Sequence, residues 1–312
     1  MYSSKRTRCL RGAVFSVIFT SLTPLHANDN TDSNKFVVKS GGASLNVFTH
    51  ERPEGIDPAP FIYWVQHAAD VVSDYYDGFP VNEAQVDLDF FNGGGTVGGS
   101  AYGDNGARVA VTVGSYSETG DLKHDWRLVH EMVHLALPQL PQKHHWLVEG
   151  LATYLESITR ARAGDLDEAY IWRGFTKGMP NGLPLASEQG LDTSRRWGST
   201  YWGGALFCLV ADVRIREATD NTKSLRDAVI GIHHAGLDHR QHTSLSPLIE
   251  IADRATGTTV LHDLYLAAGS SRWNLDLDGL WRDLGVSSDG TDIVFDDSAP
   301  LTHIRRSITR VE

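Results

Sequence analysis

Residues 130–134 read His-Glu-Met-Val-His, and no other stretch restricts the possible folds of this chain as much. Within a helix, positions i and i+4 lie one above the other on the same face, so His130 and His134 can close on one cation with Glu131 beside it. This is the HExxH pattern of zinc hydrolases, in which the glutamate takes a proton from water. The neighbouring sequence favours the helix. Leu128, Val129, Met132, Val133 and Leu135 supply an apolar face, Asp121 can cap the helix after Gly120, and Pro138 ends it. The pentapeptide alone is a weak signal, because two histidines on a helix face also occur without metal.

Catalytic zinc usually takes three protein ligands and leaves a fourth position for water, so a third donor has to be found. A metzincin would carry glycine and histidine three and six residues after the second histidine; Leu137 and Leu140 stand there, which excludes that class. Glu149 is better placed. Fourteen residues separate it from His134, and it shares one face of a second expected helix, residues 146–162, with Thr153 and Glu156. A short loop containing Pro138 and Pro141 lets two antiparallel helices bring those faces together. His144 and His145 are rival donors, although adjacent residues point different ways on a helix. His233, His234, His239 and His242 are irregularly spaced and read as surface or loop histidines, or as a weak adventitious site. Asp125, Thr153 and Glu156 are candidates for orienting the two zinc histidines, or equally for caps and solvated helix positions.

The rest of the chain frames this pair of helices. Residues 36–39 and 44–49 read as strands around Gly41 and Gly42, and a helix follows from Pro58 to the stop at Gly78 and Pro80. Residues 85–91 and 107–113 alternate as strands do, with the glycine-rich stretch 93–106 between them. Beyond the second zinc helix the pattern is mainly helical, clearest at 200–218 and 225–232, with further segments at 245–254 and 260–268. It closes on a strand at 293–296 and a short helix or strand at 300–308. The expectation is an α+β fold: a small, partly antiparallel sheet packed on zinc-binding helices, then a mainly helical C-terminal subdomain.

Residues 1–27 have the three parts of a secretory signal: Lys5, Arg6, Arg8 and Arg11, an apolar run from Ala13 to Leu25, and the small residue Ala27, after which cleavage is expected. Loss of those four basic residues turns 28 basic against 39 acidic into 24 against 39, a formal net charge of −15. Such a surface repels nucleic acid and anionic lipid, so neither nucleic-acid binding nor stable membrane insertion is expected of the mature chain. Cys9 lies in the signal and Cys208 in the apolar stretch 205–210, so the mature chain has no internal disulfide and Cys208 reads as a packed thiol. A periplasmic or secreted location follows as an expectation.

HEMVH followed by Trp146-Leu147-Val148-Glu149-Gly150-Leu151-Ala152-Thr153-Tyr154-Leu155-Glu156 resembles the gluzincin metallopeptidases of clan MA, particularly the aminopeptidase N and glycyl aminopeptidase branches. The short interval before Glu149 is also similar to the compact bacterial peptidase MA family. The resemblance implies Zn2+ held by His130, His134 and Glu149, Glu131 as general base, and a peptide or protein substrate. Tyr201-Trp202-Gly203-Gly204-Ala205 resembles the YxKGA segment whose tyrosine stabilises the oxyanion, with Gly203 in place of lysine; the resemblance makes Tyr201 catalytic. Residues 252–257, 280–286 and 299–301 look like the closing part of glycyl aminopeptidases. On this basis residues 28–163 form a thermolysin-like subdomain and 164–312 the helical one.

The same resemblance makes residues 98–103 an edge strand that pairs with substrate. The glutamate that aminopeptidase N uses there to hold the free amine is not seen, so the resemblance implies a peptidase without fixing exopeptidase action. A non-catalytic assembly factor on the same scaffold, and a zinc hydrolase of a non-peptide amide, remain open on sequence; intact Glu131 weighs against the first.

Overall fold

A single turn of two glycines, Gly41 and Gly42, reverses the chain between β1 (Lys35–Ser40) and β2 (Ala43–His50), which pair antiparallel as the alternation predicts. The computed structural model describes residues 34–288, 290 and 292–311. The expected signal, residues 1–27, and Cys9 lie outside the described residues. Helix α1 (Ala59–Tyr76) then carries the chain across to β3 (Glu83–Phe91), which lies parallel to β2. β4 (Thr96–Tyr102) and β5 (Arg108–Gly114) follow, β5 parallel to β3 and β4 antiparallel to β5, giving the order β1-β2-β3-β5-β4. The alternating residues Leu45 and Val47, Val86 and Leu88, Val109, Val111 and Val113 bury one face of this sheet. Phe61, Trp64, Val65, Ala68 and Val72 of α1 belong to the same core, each such side chain contributing roughly 1.5–3 kcal/mol of transfer free energy. β4, rich in glycine and mostly exposed, is an edge strand that pairs with β5.

The helix expected from residue 121 is in fact two. α2 (Thr119–His124) starts on a reciprocal cap in which Glu118 and Asp121 bond each other's backbone, so Asp121 is an inner partner of the cap rather than the cap itself. Asp125 then turns extended and gives its carboxylate to the Arg127 N–H at 2.8 Å, which ends α2 and opens α3 (Arg127–His134). α3 packs on α1, β4 and β5 and is buried from Leu128 to His134. A turn with a short 3-10 segment, Gln142–His144, leads into α4 (His145–Arg162).

The remaining chain is α5 (Glu168–Gly178), a π-helical turn Ser199–Gly203 running into α6 (Gly204–Ala218), α7 (Leu225–His234), α8 (Leu245–Thr256), α9 (Val260–Leu264), α10 (Leu277–Leu284), the hairpin β6 (Val286–Ser288) and β7 (Ile293–Phe295), and α11 (Thr302–Thr309). The fold is therefore α+β, with helices following the sheet. α5 and α10 go beyond the expected helices: Asp167 caps the first by accepting from the Tyr170 N–H (2.6 Å) and Asp276 the second from the Gly279 N–H (2.8 Å), while residues 300–308 resolve to helix. Cys208 is buried in α6. Among the described residues no helix is long and apolar enough to cross a membrane.

α4 and α6 cross at two glycines. A Cβ on Gly150 would stand 2.2 Å from the Gly204 backbone, and one on Gly204 would stand 2.0 Å from the Trp146 carbonyl. Just beyond the crossing, Asp212 of α6 accepts from Tyr154 of α4 (2.9 Å), Arg216 (2.9 Å) and the first N–H of α7 (3.0 Å), so three helices share one buried carboxylate. Gly150→Ala forces this interface apart next to Glu149. It should cost about 1–3 kcal/mol, read as a lower urea midpoint at unchanged slope; an unchanged midpoint would contradict the close crossing.

Candidate metal centre

α3 presents His130 and His134 one turn apart, their rings nearly perpendicular (87°) with centroids 4.8 Å apart. Both are buried. The second turn of α4 delivers Glu149, whose Oε2 lies 3.3 Å from His130 Nε2 and 3.6 Å from His134 Nε2. One donor atom from each of the three lies within 4.8 Å of the others, and among the described residues this is the group of histidine, cysteine and carboxylate side chains that converges in this way.

The position of Glu149 follows from how α4 begins. Asp192 accepts from His144 Nδ1 (2.9 Å), Trp146 Nε1 (2.8 Å) and the Tyr265 hydroxyl (2.8 Å). Three donors on one half-buried carboxylate fix the register of α4 just before Glu149. His144 is thus buried and structural rather than an exposed loop histidine or a rival donor. His145 is exposed, with Nε2 3.5 Å from the other oxygen of Glu149.

The donor set suits zinc. Two imidazoles and one carboxylate make up a common catalytic zinc set, and ligands about 2.0–2.2 Å from a tetrahedral ion stand roughly 3.4 Å from one another, close to the two separations seen here. Without a cation these lone pairs would be buried facing each other. Glu149 is held well below the usual carboxylate range: burial would raise it, but hydrogen bonding from His130 and His134 outweighs that.

Of the two readings open for Asp125 and Glu156, the structure favours the local one: Asp125 is committed to Arg127 and Thr96, and Glu156 to Ser157 and Arg160, while among the described residues the Nδ1 atoms of His130 and His134 have no hydrogen-bond partner. Trp126 instead packs edge-on against His130, with ring centroids 5.3 Å apart.

Glu131 lies beside the donors and is buried. Burial raises its pKa to about 7, with Glu149 adding to the rise and His134 opposing it. Gly99 of β4 closes over it: a Cβ there would come within 2.7 Å of Glu131 Oε1. Tyr201, from the π-helical turn, stands in the same cleft with its ring 5.4 Å from Trp197. Its hydroxyl is pushed up by burial, and by the carboxylates of Glu149 and Glu131.

The cleft holds about 530 Å³ and is lined by Gly99, Ser100 and Ala101 of the free β4 edge, by the residues just described, and by Arg127 and His239. His239 is the residue that the sequence pattern missed. Its ring reaches the cleft through contacts made more than a hundred positions away, which leave no local signal. A larger hollow of about 860 Å³, between α1 and the end of α4, has no comparable donor set.

No family model and no curated protein matches the chain. Among solved structures it is similar to an aminopeptidase N family protein from Idiomarina loihiensis, with a TM-score of 0.60 and 15% identity over 81% of this chain and 49% of that one. An M1 zinc metallopeptidase from Deinococcus radiodurans matches with a TM-score of 0.48 and 16% identity over 78% and 52% of the two chains. The chain therefore spans about half the length of these proteins, and at such identity the likeness to the Idiomarina protein is one of fold.

Proposed function

We propose that this chain is a zinc-dependent peptidase that cleaves amide bonds of peptides or proteins bound along β4. The observation that carries this reading is the convergence of His130, His134 and Glu149 beside a buried Glu131, at the mouth of a cleft walled by an unpaired strand edge. The fold likeness to the Idiomarina aminopeptidase N family protein supports it.

His130, His134 and Glu149 would hold the ion. When bound, zinc supplies Lewis acidity, polarising a carbonyl and acidifying water near neutral pH. The chain's own residues do the rest. β4 offers unpaired backbone donors and acceptors to an extended peptide, with Gly99 allowing it close to Glu131. Glu131, buried beside the three donors, takes the proton from the attacking water and returns it to the leaving amine. The Tyr201 hydroxyl, kept protonated by burial and by its acidic neighbours, donates a hydrogen bond to the oxyanion that develops on the scissile carbonyl.

Three substitutions separate these roles. Glu131→Gln should keep one zinc per chain by plasma mass spectrometry while kcat/KM falls about 10²–10⁴-fold. Glu149→Ala should weaken zinc binding itself, by more than the roughly 10–100-fold that loss of an outer partner costs. Tyr201→Phe should lower kcat about 10²–10³-fold with zinc content unchanged. The activity itself is tested by incubating zinc-loaded protein with a mixed peptide library and mapping new termini by mass spectrometry. New termini absent from the Glu131→Gln control are expected; no cleavage by the zinc-loaded protein would favour a non-catalytic binding role.

A further inference from the structure

His239 lines the cleft without belonging to either zinc helix, and the loop that carries it is clamped to the turn that follows His134. Its N–H donates to the Leu135 carbonyl (3.1 Å), its ring Nδ1 lies 3.1 Å from the Leu137 carbonyl, and its own carbonyl accepts from Gln139 Nε2 (3.1 Å). Gln139 N donates to the Gln241 carbonyl (2.8 Å) and Thr243 N to the Gln139 carbonyl (3.1 Å). Asp238 draws in Arg240 at 2.7 Å. The ring is therefore held by a loop hydrogen-bonded to the turn that follows the zinc helix.

A carbonyl oxygen can only accept, so the ring proton sits on Nδ1, and in the neutral imidazole Nε2 carries a lone pair. Burial lowers the pKa of this histidine, the Leu137 bond opposes that, and nearby His134 lowers it further. His239 thus offers the cleft that it lines a neutral acceptor at Nε2, the ring nitrogen not used toward the Leu137 carbonyl.

That acceptor answers a difficulty posed by β4. An extended peptide meets the same backbone donors and acceptors every two residues along a strand edge, and register is weakly specified on a glycine-rich strand such as Thr96–Tyr102. Given the peptidase reading, on which this inference rests, we propose that His239 Nε2 accepts a hydrogen bond from one backbone N–H of the bound peptide next to the scissile bond, and so sets the register of the peptide along β4. His239 is then a binding residue that selects which bond is cut.

The test uses the full chain loaded with zinc and the best-cut peptide from the mixed library, remade with a single N-methyl group on each backbone nitrogen within three residues of the cut. Asn at position 239 keeps a donor for the Leu137 carbonyl and removes the cleft-facing acceptor. In wild type, methylation of one particular nitrogen should cost about tenfold in kcat/KM. His239→Asn should lose about tenfold on the unmethylated peptide, chiefly through KM, lose nothing more at that nitrogen, and begin to cut bonds two residues away.

His239→Gln, which can return an acceptor toward the cleft, should recover part of the loss and the original cut. If His239→Asn cuts the same bond with unchanged kcat/KM, or if its loss adds in full to that of every methyl group, the proposal is overturned. Loss of stoichiometric zinc from both variants would make His239 structural and overturn it as well. If wild type cuts no peptide at all, it is the underlying peptidase reading that fails.

Discussion

Three lone-pair donors, two buried imidazoles and one half-buried carboxylate, drawn to within 4.8 Å of one another are the feature on which the rest of the structure depends. Burying polar groups costs free energy unless they are paired or bound to a cation, and the packing of α3 on α4 brings these three together. α3 is fixed on the sheet by Leu128, Val129, Met132 and Val133, which leaves His130 and His134 on the face toward α4. α4 is fixed in turn by Asp192 at its start and by the glycine crossing with α6 one residue after Glu149. The helices beyond residue 164 therefore act on the metal centre indirectly: Tyr265 and Asp192 hold the start of α4, and α6 holds its middle.

The sheet contributes the other wall. Because β4 is the outermost strand and carries glycine at position 99, backbone approaches Glu131 where a side chain would block it. Tyr201, Arg127 and His239 stand around this edge.

Much of this was legible in the chain itself, for local reasons. Helical spacing pairs His130 with His134, and the tryptophan-led helix that follows carries Glu149 at a distance a short turn can close. The strands β1, β2, β3 and β5 announce themselves by alternation between glycine and proline stops. What was not legible depends on contacts between distant residues. Asp125 interrupts an apparently continuous helix because its carboxylate prefers the Arg127 N–H, a choice that apolar periodicity does not reveal. His144 looks like a loop residue until Asp192, 48 positions later, is seen to accept from it. His239 belonged to an irregular histidine cluster, and only the bond to Leu137, 102 positions earlier, places it at the cleft. The Nδ1 atoms of His130 and His134, unpartnered among the described residues, favour the local reading of Glu156, since a shared helix face brings it near without making it a partner.

The central claim is that zinc is held by two imidazoles and one carboxylate with room for water. X-ray absorption at the zinc edge on protein loaded with one equivalent of zinc tests it most directly. The account predicts four or five nitrogen and oxygen scatterers at about 2.0–2.2 Å, with outer-shell scattering from two imidazole rings. A six-coordinate shell of water oxygens, or scattering from one ring or none, would contradict it.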